Sequence, residues 1–191
     1  GVIAGGTQDN GTLVFNPGMG SEGWSPMFGG DGGFSAADPA NPNYFYGEHI
    51  YLQLHRSTNG GRTSSFIFSG LPDAGRRANF IAPFVLDPNE PRRMLAGGQS
   101  LWRTNDIRAA VPVWQAIKTG SASNYISAIA VAPGNANVVW VGHNNGDLYR
   151  SSNATATSPT WAKVDPSEFP NRFLARITID AFDHNVVYAS F

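Results

Sequence analysis

His55-Arg56-Ser57-Thr58-Asn59 recurs as Trp102-Arg103-Thr104-Asn105-Asp106 and again as Tyr149-Arg150-Ser151-Ser152-Asn153, so that Arg56, Arg103 and Arg150 stand at a constant spacing of 47 residues. A fixed period in this range marks a repeat architecture. The spacing restricts the fold more than any other feature of the chain. The arginines repeat with the scaffold, so they are expected to pack or pair between repeats and not to hold a ligand.

Each repeat contains four short strand patterns. An apolar strand ends in a Pro/Asn/Asp turn at Ala36-Ala37-Asp38-Pro39, Val85-Leu86-Asp87-Pro88, Ala130-Val131-Ala132-Pro133 and Ile179-Asp180-Ala181-Phe182. Proline fixes φ and asparagine tolerates left-handed φ, so these are tight turns. A second strand follows at Tyr44–Gly47, Met94–Gly97, Val139–Gly142 and Val187–Ser190, and Val2–Gly5 has the same form. The arginine run is the third strand. The fourth is short and aromatic, at Ser65–Phe68, Val113–Ile117 and Thr160–Val164. No stretch of 11 or more residues carries capped helical periodicity. Four short strands per unit, joined by Gly/Pro/Asn turns, describe one propeller blade.

The fold class is therefore all-β, a β-propeller of four-stranded antiparallel blades with about four blade equivalents. The expected organisation is a single propeller segment over 1–191: a partial blade at 1–28, blades at 34–70, 80–118 and 126–165, and a partial blade at 174–191. The pattern counts three strands, three full blades and two strands, 17 in all. A closed four-bladed ring would leave one strand over, so an arc of a larger ring fits better. Gly1 begins inside a strand pattern and Phe191 stops in one, which predicts further sequence on both sides. Open edges invite pairing, so the expected partners include the remaining blades of a parent chain, or other copies through self-association.

Charged residues make up 14% of the chain and its net charge is −1. That excludes the basic footprint of nucleic-acid binding. No apolar run reaches the length of a membrane span. The absence of cysteine excludes disulfides and thiolate metal sites. The histidines have no metal-ligand spacing, and Gly29-Gly30-Asp31-Gly32-Gly33 is no phosphate loop, because neither a helix nor Lys-Ser/Thr follows it. No cofactor is expected; Asp/Asn-rich loops leave room for a structural Ca2+, but none is EF-hand-like.

Ser57, Asn59, Gly61 and Thr63 resemble the Asp-box of BNR-repeat, sialidase-type propellers, with the aromatic that follows displaced to Phe66. Thr104-Asn105-Asp106 and Ser152-Asn153 open degenerate copies, closed late by Trp114 and Trp161. Gly5–Thr12, Gly29–Phe34 and Asp38-Pro39 with Asn41-Pro42-Asn43 are similar to the VPS10/sortilin-like propellers of large secreted bacterial proteins. The resemblance implies a seven- or eight-bladed ring, an extracellular or cell-surface location, and an Asp-box that serves folding.

The resemblance also implies that the loops between second and third strands, and those joining blades, open together near the axis. Candidate ligand-binding residues there are Gln8, Asp9, Asp31, Glu48, His49, Arg76, Arg77, Gln99, Tyr125, His143, Asn144 and Arg172, with Asn10, Asn124 and Asn145 beside them. Such a set suits a glycan or protein ligand held by hydrogen bonds and an aromatic contact. The expected function is thus a non-catalytic binding or structural module. One alternative is a glycoside hydrolase of sialidase-like or xyloglucanase-like type, which needs paired carboxylates or a tyrosine nucleophile; Asp9, Asp31 and Glu48 are its candidates, with Arg76, Arg77 and Arg172 as clamps. The sialidase Arg-Ile-Pro motif is absent. Another alternative is a subunit of an extracellular filament or surface assembly.

Overall fold

The computed structural model describes residues 2–121, 123–164 and 166–191. Gly1, where a strand pattern was expected to begin, and Asp165, at the expected end of a blade, lie outside the described residues. The described residues form 17 strands: β1 Ile3–Thr7, β2 Gly11–Phe15, β3 Trp24–Phe28, β4 Ser35–Ala37, β5 Phe45–Glu48, β6 Leu54–Ser57, β7 Ser65–Phe66, β8 Phe84–Asp87, β9 Glu90–Gly97, β10 Leu101–Thr104, β11 Gln115–Lys118, β12 Ile126–Ala132, β13 Asn135–His143, β14 Leu148–Ser151, β15 Ala162–Lys163, β16 Arg176–Ile179 and β17 Val187–Ser190. They assemble into five antiparallel sheets, each in sequence order: β1–β3, β4–β7, β8–β11, β12–β15 and β16–β17. We call these sheets A to E.

The 47-residue period is visible in the pairing. Arg56, Arg103 and Arg150 all lie on the third strand of their sheet, opposite Tyr46, Leu95 and Trp140 of the second. The first strands β4, β8, β12 and β16 face one another. A separate apolar layer fills each seam between neighbouring sheets. Tyr46, Leu54, Met94 and Trp114 belong to that between B and C, and Leu95, Leu101, Ile117 and Val139 to that between C and D. Trp140, Leu148, Leu174 and Ile177 fill D to E, and Val14, Met27 and Phe45 fill A to B.

The arginines tie the seams together. Arg56 Nη1 donates to Ile107 O and Ala109 O of the next sheet, at 2.5 and 2.7 Å. Arg103 Nη1 repeats this one period later with Ala154 O and Ala156 O, at 2.6 and 3.1 Å. Each guanidinium thus leaves its third strand and holds the turn that follows the third strand of its neighbour. Arg150 has a different surrounding and lies 5.9 Å from the Trp140 ring centroid.

Those turns are built by side-chain oxygens. In sheet B, Ser57 Oγ accepts from Gly61 N at 2.9 Å, and Asn59 Oδ1 accepts from Thr63 N at 3.1 Å and from Ser57 Oγ at 2.9 Å. Gly60 and Gly61 take left-handed φ of 74° and 85°. In sheet D, Ser151 and Asn153 repeat the pair, and Asn153 Oδ1 accepts from Thr160 N at 2.9 Å across the inserted loop. The sequence reading opened this copy at Ser152; the hydrogen bonds place its start one residue earlier, at Ser151. Among the described residues no helix is long and apolar enough to cross a membrane.

Candidate functional site

The end of the sheets opposite these turns carries the non-repeating loops. The β1–β2 turn is tight, with Asp9 at φ 63° and Gly11 at φ 78°. It is tied to the A–B connection by Gly32 N to Thr7 O at 2.9 Å and Asp9 N to Asp31 Oδ1 at 2.9 Å. His49 Nδ1 lies 2.7 Å from Asp31 O, which assigns the proton to Nδ1. Asp9, Asp31 and His49 therefore converge, with Gln8 exposed beside them. Gly30 must be glycine here: its φ is 80°, and a Cβ would lie 2.7 Å from the His49 ring.

Glu48 belongs to this group by sequence but is wholly buried. Its partner across the strand pair is Leu54. Sheets C and D have Gly97 and Gly142 at the matching place, opposite Leu101 and Leu148. Glu48 Oε1 accepts from Leu52 N at 3.2 Å and Ala82 N at 3.3 Å, while Oε2 has no partner. Burial pushes its carboxyl up to about 8 despite those two hydrogen bonds. The carboxyl is therefore neutral over most of the pH range and sealed from solvent.

The remaining residues fall into a second group. His143 is buried, with Nδ1 3.0 Å from Asn124 O and Nε2 3.2 Å from Lys118 Nζ. Burial, then the Lys118 charge, lowers it to about 4. Asn144 N donates to Tyr125 O at 3.0 Å. Asn144 and Asn79 exchange a reciprocal amide pair at 2.7 and 2.8 Å, and Asn79 Nδ2 also donates to Ile126 O at 3.0 Å. Gln99 N bonds Arg77 O at 2.6 Å. Arg76, Arg77, Arg172 and Asn145 are exposed, and the Arg172 backbone sits against Gly146.

The loops thus bring Asp9, Asp31 and His49 together at sheets A and B, and His143, Asn144 and Tyr125 together at sheets C and D. Among the described residues no hydrogen bond joins the two groups. Nor does any cluster of three His, Asp or Glu side chains lie close enough to hold a metal ion.

Several structuring residues escaped the sequence reading. Asn79 lies in a blade-to-blade connection with no repeat to single it out. Asp73, buried, accepts from Ser100 N at 2.8 Å and Trp102 Nε1 at 2.7 Å. His55 stacks on Phe28 with centroids 4.3 Å apart and meets Thr12 Oγ1 at 3.2 Å. Burial, then the His49 charge, lowers its pKa to about 4.

Between the first strands runs a cavity of about 410 Å³. Its walls are Phe34–Ala37, Phe84–Leu86, Ala128, Ile129 and Ile177, with Ser35, Asp87 and Arg176 as polar members. The volume lies within the range of small-ligand sites, and an apolar wall with few polar groups is their usual make-up.

No protein-family model matches the chain, and no curated protein does. Solved structures do. A GH74 xyloglucanase from Xanthomonas campestris superposes with a TM-score of 0.67 at 16% identity, over 97% of this chain and 33% of the other. Sqt1 from Chaetomium thermophilum, bound to the N-terminus of the ribosomal protein L10, gives 0.65 at 13% identity, over 93% and 48%. The WD40 β-propeller domain of Doa1 gives 0.64 at 8% identity, over 95% and 55%. The chain spans about a third of the length of the GH74 structures it matches. At these identities the likeness is one of fold, and with four of the five sheets set around a common cavity it makes this chain an all-β protein of β-propeller architecture.

Proposed function

We propose that this chain is a non-catalytic binding module that takes a peptide-like ligand at the axial face, seating an apolar side chain in the cavity between β4, β8, β12 and β16. The observation that carries this reading is the pairing state of the axial loops. Asp31 is engaged by Asp9 N, His49 by Asp31 O, His143 by Asn124 O and Asn144 by Asn79. These polar groups hold the loops in one shape, and a mostly apolar cavity runs between the first strands that those loops enter. Preorganised loops beside an apolar cavity suit binding, because little ordering is left to pay on association. The L10-bound Sqt1 structure is a similar fold carrying a protein segment, which favours a peptide over a neutral glycan. The Ser57–Thr63 turn supports placing the chain with the Asp-box propellers, and with them an extracellular setting.

Screening the 191-residue chain against a peptide array tests the reading, with Ala175→Trp as the control that fills the cavity. Binders lost on Ala175→Trp support it. Silence across the array, or binders indifferent to that change, would remove it.

One observation favours a glycosidase instead. Glu48 is held protonated near neutral pH, the state a general acid needs, in a fold shared with a GH74 xyloglucanase. Its full burial opposes the idea. Hydrolysis of xyloglucan or a chromogenic sugar, abolished by Glu48→Gln and by Asp31→Asn, would establish it; no turnover by the unmodified chain would end it.

A further inference from the structure

A second cavity, of about 450 Å³, lies between the outer strand β11 of sheet C and the loop before β15 in sheet D. It is lined by the fourth strand of one sheet and by the third strand and following loop of the next, and it meets the axial group only at Lys118, which touches His143. Gln115, Ile117, Lys118, Tyr149, Thr157 and Trp161 form its walls.

Lys118 is the unusual member. The chain has two lysines. Lys163 pairs with Asp147 at 2.7 Å, and Arg92, Arg93 and Arg108 pair with Asp106, Asp87 and Asp38. Lys118 Nζ, half-buried, has no carboxylate within ion-pair distance among the described residues. It lies 3.9 Å from the Tyr149 ring centroid and 3.2 Å from His143 Nε2. His143 is the acceptor, since its Nδ1 hydrogen is used on Asn124 O. Asp147 acts on the ammonium only at longer range, and burial lowers its pKa. An ammonium removed from water and left without a counter-charge costs free energy that an anionic ligand would recover.

The surroundings narrow the ligand. Among the described residues β11 is the outer strand of sheet C. Yet Trp161 Nε1 donates to Ile117 O at 2.8 Å, and Gln115 Nε2 donates to Thr157 O at 2.8 Å. The next sheet therefore covers this edge, and an added peptide strand would have to displace both contacts. What remains open is a pocket lined by the aromatic Trp161 and Tyr149 and by Lys118, whose ammonium lies over the Tyr149 ring. We propose that this pocket binds a carboxylate-bearing sugar ring, such as a uronic acid residue of an acidic glycan. Lys118 Nζ meets the carboxylate, and Trp161 and Tyr149 flank the ring.

The experiment uses the 191-residue chain with oligogalacturonate, its methyl ester and an Asp/Glu-rich peptide, measured by calorimetry. A second readout is protection of lysine from acetylation, resolved by mass spectrometry. The expected result is that oligogalacturonate binds and shields Lys118 but not Lys163, and that the neutral ester binds about tenfold or more weakly. Lys118→Met, which keeps the apolar stem, loses the affinity, while Lys163→Met keeps it. The proposal is overturned if oligogalacturonate does not bind, if the ester binds equally well, if Lys118→Met is unchanged, or if the acidic peptide alone protects Lys118.

Discussion

The seam between sheets A and B and the seam between C and D solve the same packing problem with different chemistry. At C to D the layer is aliphatic and a buried guanidinium crosses it: Arg103 reaches Ala154 O, Ala156 O and its own sheet's Gln115. At A to B the place of the arginine is taken by Val14 of β2, which lies opposite Ala4 of β1. Its methyl groups press on Gly61 of the next turn. The rest of that seam is aromatic and polar, with Phe28, Phe66, His49, His55 and Thr12 in mutual contact. The fold therefore specifies a contact to the neighbour's turn, not a residue type. The two solutions should fail differently, one by losing hydrogen bonds and the other by crowding or protonation.

The largest effect is expected at the guanidinium. Arg103→Ala removes a charged donor from three acceptors and leaves two backbone carbonyls unsatisfied in the seam. At about 1.5–3 kcal/mol for a hydrogen bond to a charged group, the loss should be about 4 kcal/mol in urea unfolding. Arg103→Lys should recover little of it, because an ammonium lacks the planar fork. A loss no larger than that of Val14→Ala would show that the arginine is incidental to the seam.

Protonation should distinguish the seams next. His55 is wholly buried and its folded pKa, about 4, lies below its ordinary 6.5. Its contribution is therefore present above pH 6.5 and is lost as pH falls through 4, to an amount on the order of 3 kcal/mol at 1.36 kcal/mol per unit. His143, also lowered to about 4, adds to the same acid limb. Glu48 has the opposite sign. Its folded pKa, about 8, stands above its ordinary 4.5, so its contribution is complete below 4.5 and is lost as pH rises through 8. These three groups together give a stability maximum near neutral pH. Unfolding midpoints across the pH range should show His55→Phe flattening the acid side and Glu48→Gln the alkaline side. A single-sided profile would contradict the burial of one of them.

The sequence announced the scaffold because the scaffold repeats. The arginine period located the third strands, and the Asn- and Asp-bearing turns located the ends. What the period could not reveal is the residue that replaces a repeated one. Val14 is an ordinary strand valine until its place opposite Ala4 is known, and Glu48 is remarkable only beside Gly97 and Gly142. The degenerate turn at Ser151 was misread by one residue because six residues separate Thr160 from Asn153, and no spacing rule spans an inserted loop. The axial candidates were chosen by topology, which brought Asp9, Asp31 and His49 together. The split into two groups depends on Asn79, whose partner lies 65 residues away.

Crowding at Gly61 gives a middle-sized effect. Its φ of 85° disfavours any side chain, and a Cβ would lie 2.7 Å from Val14 Cγ2. The left-handed backbone alone costs about 1–2 kcal/mol, so Gly61→Ala should lose about 2 kcal/mol. Val14→Ala in the same molecule should return part of this loss, since it removes the methyl groups that the new Cβ meets. A strictly additive double-mutant cycle would mean that the backbone, not the seam, carries the penalty.

The smallest effect tests the axial rim against both seams. Asn79→Ala deletes the reciprocal amide pair with Asn144 and the bond to Ile126 O, in a half-buried position that water can reach. The expected loss is about 1 kcal/mol, that of an ordinary neutral hydrogen bond. Its location should be more telling than its size. Asn144 N is held by Tyr125 O and His143 N by Asp147 O, and freeing the Asn144 side chain loosens that loop while the strands beneath keep their pairing. Amide exchange should therefore quicken at residues 143–147 and stay unchanged in β13 before His143 and in β14. Uniform quickening through sheet D would mean that the rim and the blade open as one unit, and that the axial loops are part of the scaffold and not a surface laid upon it.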